Sequence, residues 1–376
     1  MKVVMQGRIG LLSEGGGDKV QIENTAFELR KLGVEVDIST NIDDDIKKYD
    51  LVHIFQLDWI AENYFYAKNA YRFGKPIVLS PIHHNINEVK RFDDDYAFDL
   101  RRLSRFLFKD QFKRDVFKNL HRSIFDHKKI KPTFFSLILG LKEMHRRVLK
   151  MSNRVLVQTE LEAKDLVNTY QVDIKWKKVP NGVGEVFLQD NKYENSLGIK
   201  DYILCVGRIE ARKNQIKIIE AVEKFRIKYK NDVQLVFVGH KSSLKHFEYV
   251  SVFNKLVSRY KWIKHIEEVS YENMPSIYRF AKVCVSASWF ETTGLTLLEA
   301  LFCSTNAVAS GPRAKEYLGS YASYCDPGDI DSIFKAIEKE YFAQRLSIPS
   351  DMREIYTWSN AAKETFEVYK EVLKGK

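Results

Sequence analysis

Cysteine is scarce in this chain of 376 residues: there are four, Cys205, Cys284, Cys303 and Cys325, and no two form a Cys-x-x-Cys pair. All lie in or beside apolar runs. That pattern gives no disulfide framework and no zinc-ligand spacing, so reduced, partly buried thiols and a cytoplasmic protein are expected. Long apolar runs are also missing. The longest, near Phe134 to Leu141, falls far short of the ~20 residues that span a bilayer. Met1-Lys2-Val3-Val4-Met5 leads straight into a strand, so no signal peptide is expected. Low-complexity tracts and short repeats are absent too. What remains is 45% hydrophobic and 13% aromatic, enough for sizeable cores in a chain too long for one ordinary domain.

Apolar periodicity divides that material into two series of strands and helices. Val3–Met5, Val34–Ser39, Leu51–Phe55, Pro76–Ile82, Arg154–Gln158 and Trp176–Pro180 read as strands. A second series follows at Tyr202–Val206, Gln234–Val238, Val283–Ser286 and Ala307–Ser310. Strands alternating with helices imply α/β architecture with parallel sheets. The boundary falls near Gly182-Val183-Gly184, giving an N-terminal domain 1–182 and a C-terminal domain 183–358. The region 92–150 reads as a helical insert in the first.

Two segments carry chemistry. In Ser288-Trp289-Phe290-Glu291-Thr292-Thr293-Gly294-Leu295-Thr296-Leu297-Leu298-Glu299-Ala300, two glutamates stand eight positions apart, between a strand and a helix start. Open α/β sheets bind ligands at that edge. The turn Gly294-Leu295-Thr296 would present unpaired N–H groups to a phosphate, and Glu299 could hold a sugar hydroxyl. The bland alternative is an acidic helix start, which the helix dipole favours in any case. In the second segment, Tyr202 to Gln215, Gly207 permits a sharp turn, and Arg208 and Lys213 offer a fork and a point charge to a diphosphate. Either basic residue taken alone also reads as a solvated surface charge.

Together these segments resemble the family 4 glycosyltransferases, which have the GT-B fold. The resemblance rests on Glu291…Glu299, on Gly207-Arg208…Lys213-Asn214, and on Val179-Pro180-Asn181-Gly182-Val183…Phe187. Ser270–Tyr278, Tyr324–Asp329 and Trp358-Ser359 extend it. It runs in order from about 150 to 376 and is looser in the first half. It departs from the pattern at Cys303–Ser310, where a Gly-x-Pro turn would be usual. It implies two facing Rossmann-like domains, with a C-terminal helix of about 359–376 crossing back to complete the first. It also implies retention of anomeric configuration, Glu299 on the nucleotide ribose, and Glu291 on donor sugar hydroxyls. A histidine that ends a strand of the first domain would match His83 or His84. Gly16 and Gly17, of the run Gly15-Gly16-Gly17, would approach donor phosphate or acceptor, and the adjacent Asp18 would bind acceptor hydroxyls or simply cap a helix. No cofactor beyond the donor, and no metal, is expected.

Charge is uneven. The chain carries 60 basic and 50 acidic residues, a net +10, yet 16 Lys/Arg face four Asp/Glu between Arg101 and Arg154. Phenylalanines are interleaved there. That composition suits an anionic membrane surface, and equally an ordinary insert with a basic face. No nucleic-acid motif accompanies it. The triplets Asp43-Asp44-Asp45 and Asp93-Asp94-Asp95 could hold a cation, but neither lies at a strand end of the donor domain, and loop or capping charges fit better. The expectation is a hexosyltransferase moving sugar from a nucleotide-diphosphate sugar to a glycan or lipid-linked acceptor of a surface polysaccharide, at the inner face of the membrane. A sugar-nucleotide epimerase, a phosphorylase, or a silent glycan- or nucleic-acid-binding protein remain alternatives.

Overall fold

Two six-stranded sheets, parallel throughout, organise the computed structural model, which describes residues 1–14, 16–95, 100–125, 129–189, 193–242 and 246–375. Gly15 lies outside the described residues. The first sheet contains β1 (Lys2–Gln6), β2 (Glu35–Ser39), β3 (Leu51–Phe55), β4 (Ile77–Ser80), β5 (Arg154–Val157) and β6 (Trp176–Lys178), in the order β2-β1-β3-β4-β5-β6. The second contains β7 (Tyr202–Val206), β8 (Leu235–Val238), β9 (Ile263–Ile266), β10 (Ala281–Val285), β11 (Asn306–Ser310) and β12 (Ala322–Cys325), in the order β12-β11-β10-β7-β8-β9. Every residue of β3, β8 and β11 is buried. Parallel strands need helices on both faces, which is why they read as unbroken apolar runs rather than as alternation.

Both sheets reverse their winding direction once. In the first, the chain moves outward from β1 to β2, then returns to the other side of β1 with β3. In the second, β8 and β9 lie on one side of β7 and β10 starts the other. At such a reversal two loops diverge and leave a crevice outside the strand ends, the usual ligand position in this architecture.

The strands β9 and β12 escape the apolar pattern. β9 sets Lys264 and His265 between Ile263 and Ile266, and each strand sits at a sheet edge, where one flank meets solvent. All four cysteines are buried and free. Burial pushes the Cys205, Cys303 and Cys325 thiols up to about 12, so they act as small apolar residues.

The chain divides into two units: Met1–Ile86, Ser104–Gly182 and Ile355–Lys376 form the first, and Asn87–Leu103 with Val183–Glu354 the second. This differs from a split at 182 with an insert wholly in the first domain. Phe92 is fully buried in the second core, 5.6 Å from Phe290 between ring centroids, and Arg91 donates to Asp326 at 2.8 Å. Those contacts link positions about two hundred apart in sequence, beyond the reach of local pattern. The C-terminal helix, Trp358–Lys374, packs against the Gly17–Lys31 helix in the first unit. Thr357 caps it by accepting from Asn360 N at 3.1 Å. Tyr369 reaches His53 in the centre of β3, with 2.6 Å between Oη and Nδ1. A Cβ on Gly182 would lie 2.1 Å from the Thr357 carbonyl carbon, so only glycine fits this crossing.

Candidate functional site

The second sheet's reversal point gathers most of the chemistry. After β7 the chain turns at Gly207 (φ 144°), then winds a short 3-10 turn, Ala211–Lys213. Asn214 follows in the left-handed region (φ 62°), which asparagine tolerates better than most residues. Its buried amide donates to Ala287 O at 3.0 Å and to Pro327 O at 2.9 Å, tying the β7 loop to the loops after β10 and β12. The backbone at Gly239 (φ 142°) packs directly on Gly207, where a Cβ would come within 2.4 Å of its carbonyl oxygen. The loop is therefore a held frame.

On that frame the Lys213 ammonium donates to Glu291 Oε1, and Arg212 Nη1 lies 3.5 Å from Glu291 Oε2. Arg212 also holds Glu210 at 2.9 Å and donates to Phe290 O at 3.3 Å. Burial pushes the Glu291 carboxyl up, but the Lys213 and Arg212 charges outweigh it and bring the group down to about 2. Glu291 is an anion at any working pH. The Lys213 and Glu291 side chains keep 17% and 14% of their surface exposed, so the pair is open to a ligand.

Three residues on, Gly294 takes the left-handed conformation (φ 84°) and begins the Leu295–Phe302 helix. Gly294 O accepts from Leu297 N at 3.0 Å. The N–H groups of Leu295 and Thr296 come before the first intrahelical donor, and first-turn N–H groups point outward with the positive dipole end. One turn in, Glu299 accepts from Tyr278 Oη at 2.8 Å and also from Tyr271. Burial, only partly opposed by those tyrosines, raises Glu299 to about 7. The two glutamates are thus tuned in opposite directions, one by cations and one by burial. Arg208 is exposed, and its backbone carbonyl accepts from Gln215 at 2.9 Å.

In the first unit, Arg8 follows β1 and pairs with Asp18 at 2.7 Å, both side chains nearly buried. The Arg8 guanidinium also lies 5.6 Å from the Trp59 ring centroid. Gly16 (φ 132°) precedes the Gly17–Lys31 helix, and a Cβ there would meet Asp18 Oδ1 at 2.6 Å. Around Gly17 the space is open. Asp58, after β3, bridges His83 and His84 through their Nδ1 atoms, the second at 2.5 Å. Burial works against that carboxylate, but the two histidines hold it far below the usual range. His83 is buried and its Nε2 lies 3.1 Å from Tyr170 Oη, so both its ring nitrogens are engaged. His84 is the more exposed of the two. Ile82, just before them, sits at φ 44°, a strained setting for a β-branched residue.

The structure therefore brings together Gly207, Lys213, Glu291, Gly294, Leu295, Thr296 and Glu299 in one unit, with Arg208 on the same loop. It places Gly16, Gly17, Asp18, His83 and His84 in the other. Sequence reasoning missed Arg212, the tyrosines beneath Glu299, and Asp58. Arg212 carried a signal, standing in the same basic loop; Tyr271 and Tyr278 became partners of Glu299 only through folding. The Asp43–Asp45 triplet is already partnered: Asp43 with Lys131 at 2.8 Å, Asp44 with Ser39, and Asp45 with Lys47 N at 3.1 Å. In the second triplet, Asp94 pairs with Lys90 and Asp95 with Arg91. No cluster of three metal-ligating side chains occurs among the described residues.

Residues 189–344 match the family of glycosyl transferases group 1. Over 341 residues the chain is 25% identical to O-antigen chain mannosyltransferase B of Escherichia coli, covering 86% of this chain and 80% of that protein. It is likewise 25% identical over 335 residues to the alpha-monoglucosyldiacylglycerol synthase of Streptococcus pneumoniae, covering 81% and 71%. Sucrose-phosphate synthase from Thermosynechococcus elongatus superposes over 100% of both chains with a TM-score of 0.74 at 15% identity. That likeness shows a shared fold, GT-B, with two Rossmann-like units.

Proposed function

We propose that this chain, whose residues 189–344 belong to the glycosyl transferases group 1, moves a hexosyl group from a nucleotide-diphosphate sugar to a glycan or lipid-linked acceptor, with retention of configuration. The names of its relatives point the same way, one to a polysaccharide chain and one to a glycolipid. The observation that carries the reading is the partly exposed Lys213–Glu291 pair beside the Gly294 helix start, at the reversal of the second sheet.

Sugar transfer builds positive charge at the anomeric carbon and negative charge on the departing diphosphate, and catalysis stabilises both. Lys213 and Arg208 meet the phosphate charge together with the N–H groups of Leu295 and Thr296. Glu291, freed from Lys213 when phosphate takes that ammonium, binds the donor sugar hydroxyls as an anion. Glu299, supported from below by Tyr278, takes the ribose hydroxyls. Gly16 and Gly17 serve the donor phosphate or the acceptor, while Asp18, expected from the sequence to bind acceptor hydroxyls, is instead buried against Arg8 and holds that loop in place. His84, more exposed than His83 and steadied by Asp58, is the better placed of the two to meet a substrate.

Cationic side chains and helix N–H groups do here what a metal does elsewhere, so the reaction runs without one. Activity is expected to persist in excess chelator; loss on chelation with recovery on Mn²⁺ or Mg²⁺ would contradict the proposal. The basic stretch 101–154 adds reversible contact with an anionic membrane at its cytoplasmic face, each basic residue near the surface contributing about 1 kcal/mol. No helix among the described residues is long and apolar enough to cross a membrane. Donor hydrolysis by the purified protein, screened over UDP- and GDP-sugars, tests the enzymatic reading. Failure with every donor, despite correct folding, would leave a binding protein.

A further inference from the structure

The helix Ile130–Leu139 has its polarity inside out. Its most deeply buried positions are Pro132, Thr133 and Ser136, and Ser136 meets its own hydrogen-bonding need by donating to Thr133 O at 2.7 Å. Its outward positions are Ile130, Phe134, Leu137 and Ile138, which are 49%, 58%, 51% and 70% exposed. The spacing i, i+4, i+7, i+8 makes one continuous stripe. A helix facing water normally shows the reverse arrangement, and an exposed apolar stripe marks an interaction surface. The helix is firmly seated all the same: Phe135 packs on Phe65 with ring centroids 5.2 Å apart, and Phe135 and Leu139 join the core of the first unit.

Its surroundings choose the occupant. From Lys129 to Arg154 the chain carries seven Lys/Arg (Lys129, Lys131, Lys142, Arg146, Arg147, Lys150, Arg154) and a single acid, Glu143. Lys131 pairs with Asp43, Arg146 and Arg147 share Glu143, and Arg154 pairs with Glu371, which leaves an excess of positive charge. The helix itself contains no acidic residue and only Lys131 as a charge, near its start. Ten residues make about 15 Å of helix, too short to span a bilayer but suited to lying in its surface. An apolar stripe in a segment with a net positive charge matches a layer with an anionic surface and an apolar interior.

We infer that the Ile130–Leu139 helix inserts its outward face into an anionic lipid bilayer, with Phe134, Leu137 and Ile138 entering the acyl boundary. This rests on the membrane contact proposed above and deepens it from surface attraction to immersion. Attraction by basic residues weakens with salt; burial of these side chains does not.

The test uses the full chain. Since all four natural cysteines are buried, Ile138→Cys can be labelled selectively with an environment-sensitive fluorophore, and Ile227→Cys, at a site 74% exposed in the second unit, serves as control. With phosphatidylglycerol–phosphatidylcholine vesicles, emission from the label at 138 is expected to rise and shift to the blue, while the label at 227 stays aqueous. Leu137→Glu with Ile138→Glu is expected to lower the vesicle-bound fraction about tenfold at high salt, with unchanged circular dichroism and donor hydrolysis. Cosedimentation without a response at 138 would overturn immersion and leave the electrostatic contact standing. No vesicle binding at any salt would remove both. A response at 138 without vesicles, together with a dimer that the double variant abolishes, would assign the stripe to a second copy of this chain and overturn the inference.

Discussion

The reversal points of the two sheets hold ion pairs of similar chemistry in different environments. At the second, Lys213 and Glu291 stay 17% and 14% exposed, with Arg212 alongside. At the first, Arg8 and Asp18 are 7% and 6% exposed, with Trp59 against the guanidinium. Burial raises the cost of every unpaired charge, so a buried pair is locked together, whereas a partly exposed pair can exchange partners with a ligand. Where each sheet opens its crevice, the second offers exchangeable charge and the first a fixed scaffold. That fits a donor whose diphosphate must be gripped and released in each cycle.

The same substitution at each point separates the two roles. Arg8→Ala strands the Asp18 carboxylate in a buried site and should cost about 3–5 kcal/mol of stability, read by urea unfolding. A loss below ~1 kcal/mol would mean that the first pair is as exchangeable as the second. Lys213→Ala should leave stability nearly unchanged, since Arg212 still faces Glu291, yet lower turnover on the identified donor by ~10²-fold or more. Arg208→Ala, at an exposed position, should follow Lys213→Ala in direction. Wild-type turnover in both variants would remove the donor site from this loop.

Much of the candidate donor-side arrangement was legible in the chain, because strand ends follow from apolar runs and the candidate residues sit next to those ends. Glu291 and Lys213 each stand a few positions past a buried strand, and Gly207 and Gly294 punctuate the turns. What was not legible depends on contacts across long stretches of sequence. Asn87–Leu103 joins the second unit because Phe92 finds its core and Arg91 finds Asp326, facts with no local signature. Asp58 looks like any loop acid until β3 and β4 pair and bring His83 and His84 to it. The outward stripe on the Ile130–Leu139 helix was hidden for another reason. Its apolar residues read as core by composition, and only the packing shows that Thr133 and Ser136 took the inside.

The opposite tuning of the two glutamates gives a smaller, pH-dependent contrast. Glu299 is raised from 4.5 to about 7 by burial. Its favourable contribution is therefore complete below its unfolded value and is lost as pH rises toward 7. Glu291 is lowered from 4.5 to about 2 by its cations. Its contribution is present above 4.5 and is lost as pH falls toward 2. The stability of the ligand-free protein against unfolding should accordingly fall between pH 5 and pH 7 by on the order of 1–3 kcal/mol from Glu299 alone. Glu299→Gln should flatten that slope while leaving the loss below pH 4.5 in place. An unchanged slope would show that Glu299 keeps an ordinary carboxyl in solution.

The central claim is that the second sheet's reversal point grips a nucleoside diphosphate through Lys213 and the helix start at Gly294. Calorimetric titration of UDP and GDP into wild-type protein and Lys213→Ala, in excess chelator, tests it most directly. The account predicts that one of the two nucleotides binds the wild type and that Lys213→Ala weakens it at least tenfold, with the fold intact. Binding of neither nucleotide, or equal binding by both proteins, would contradict it.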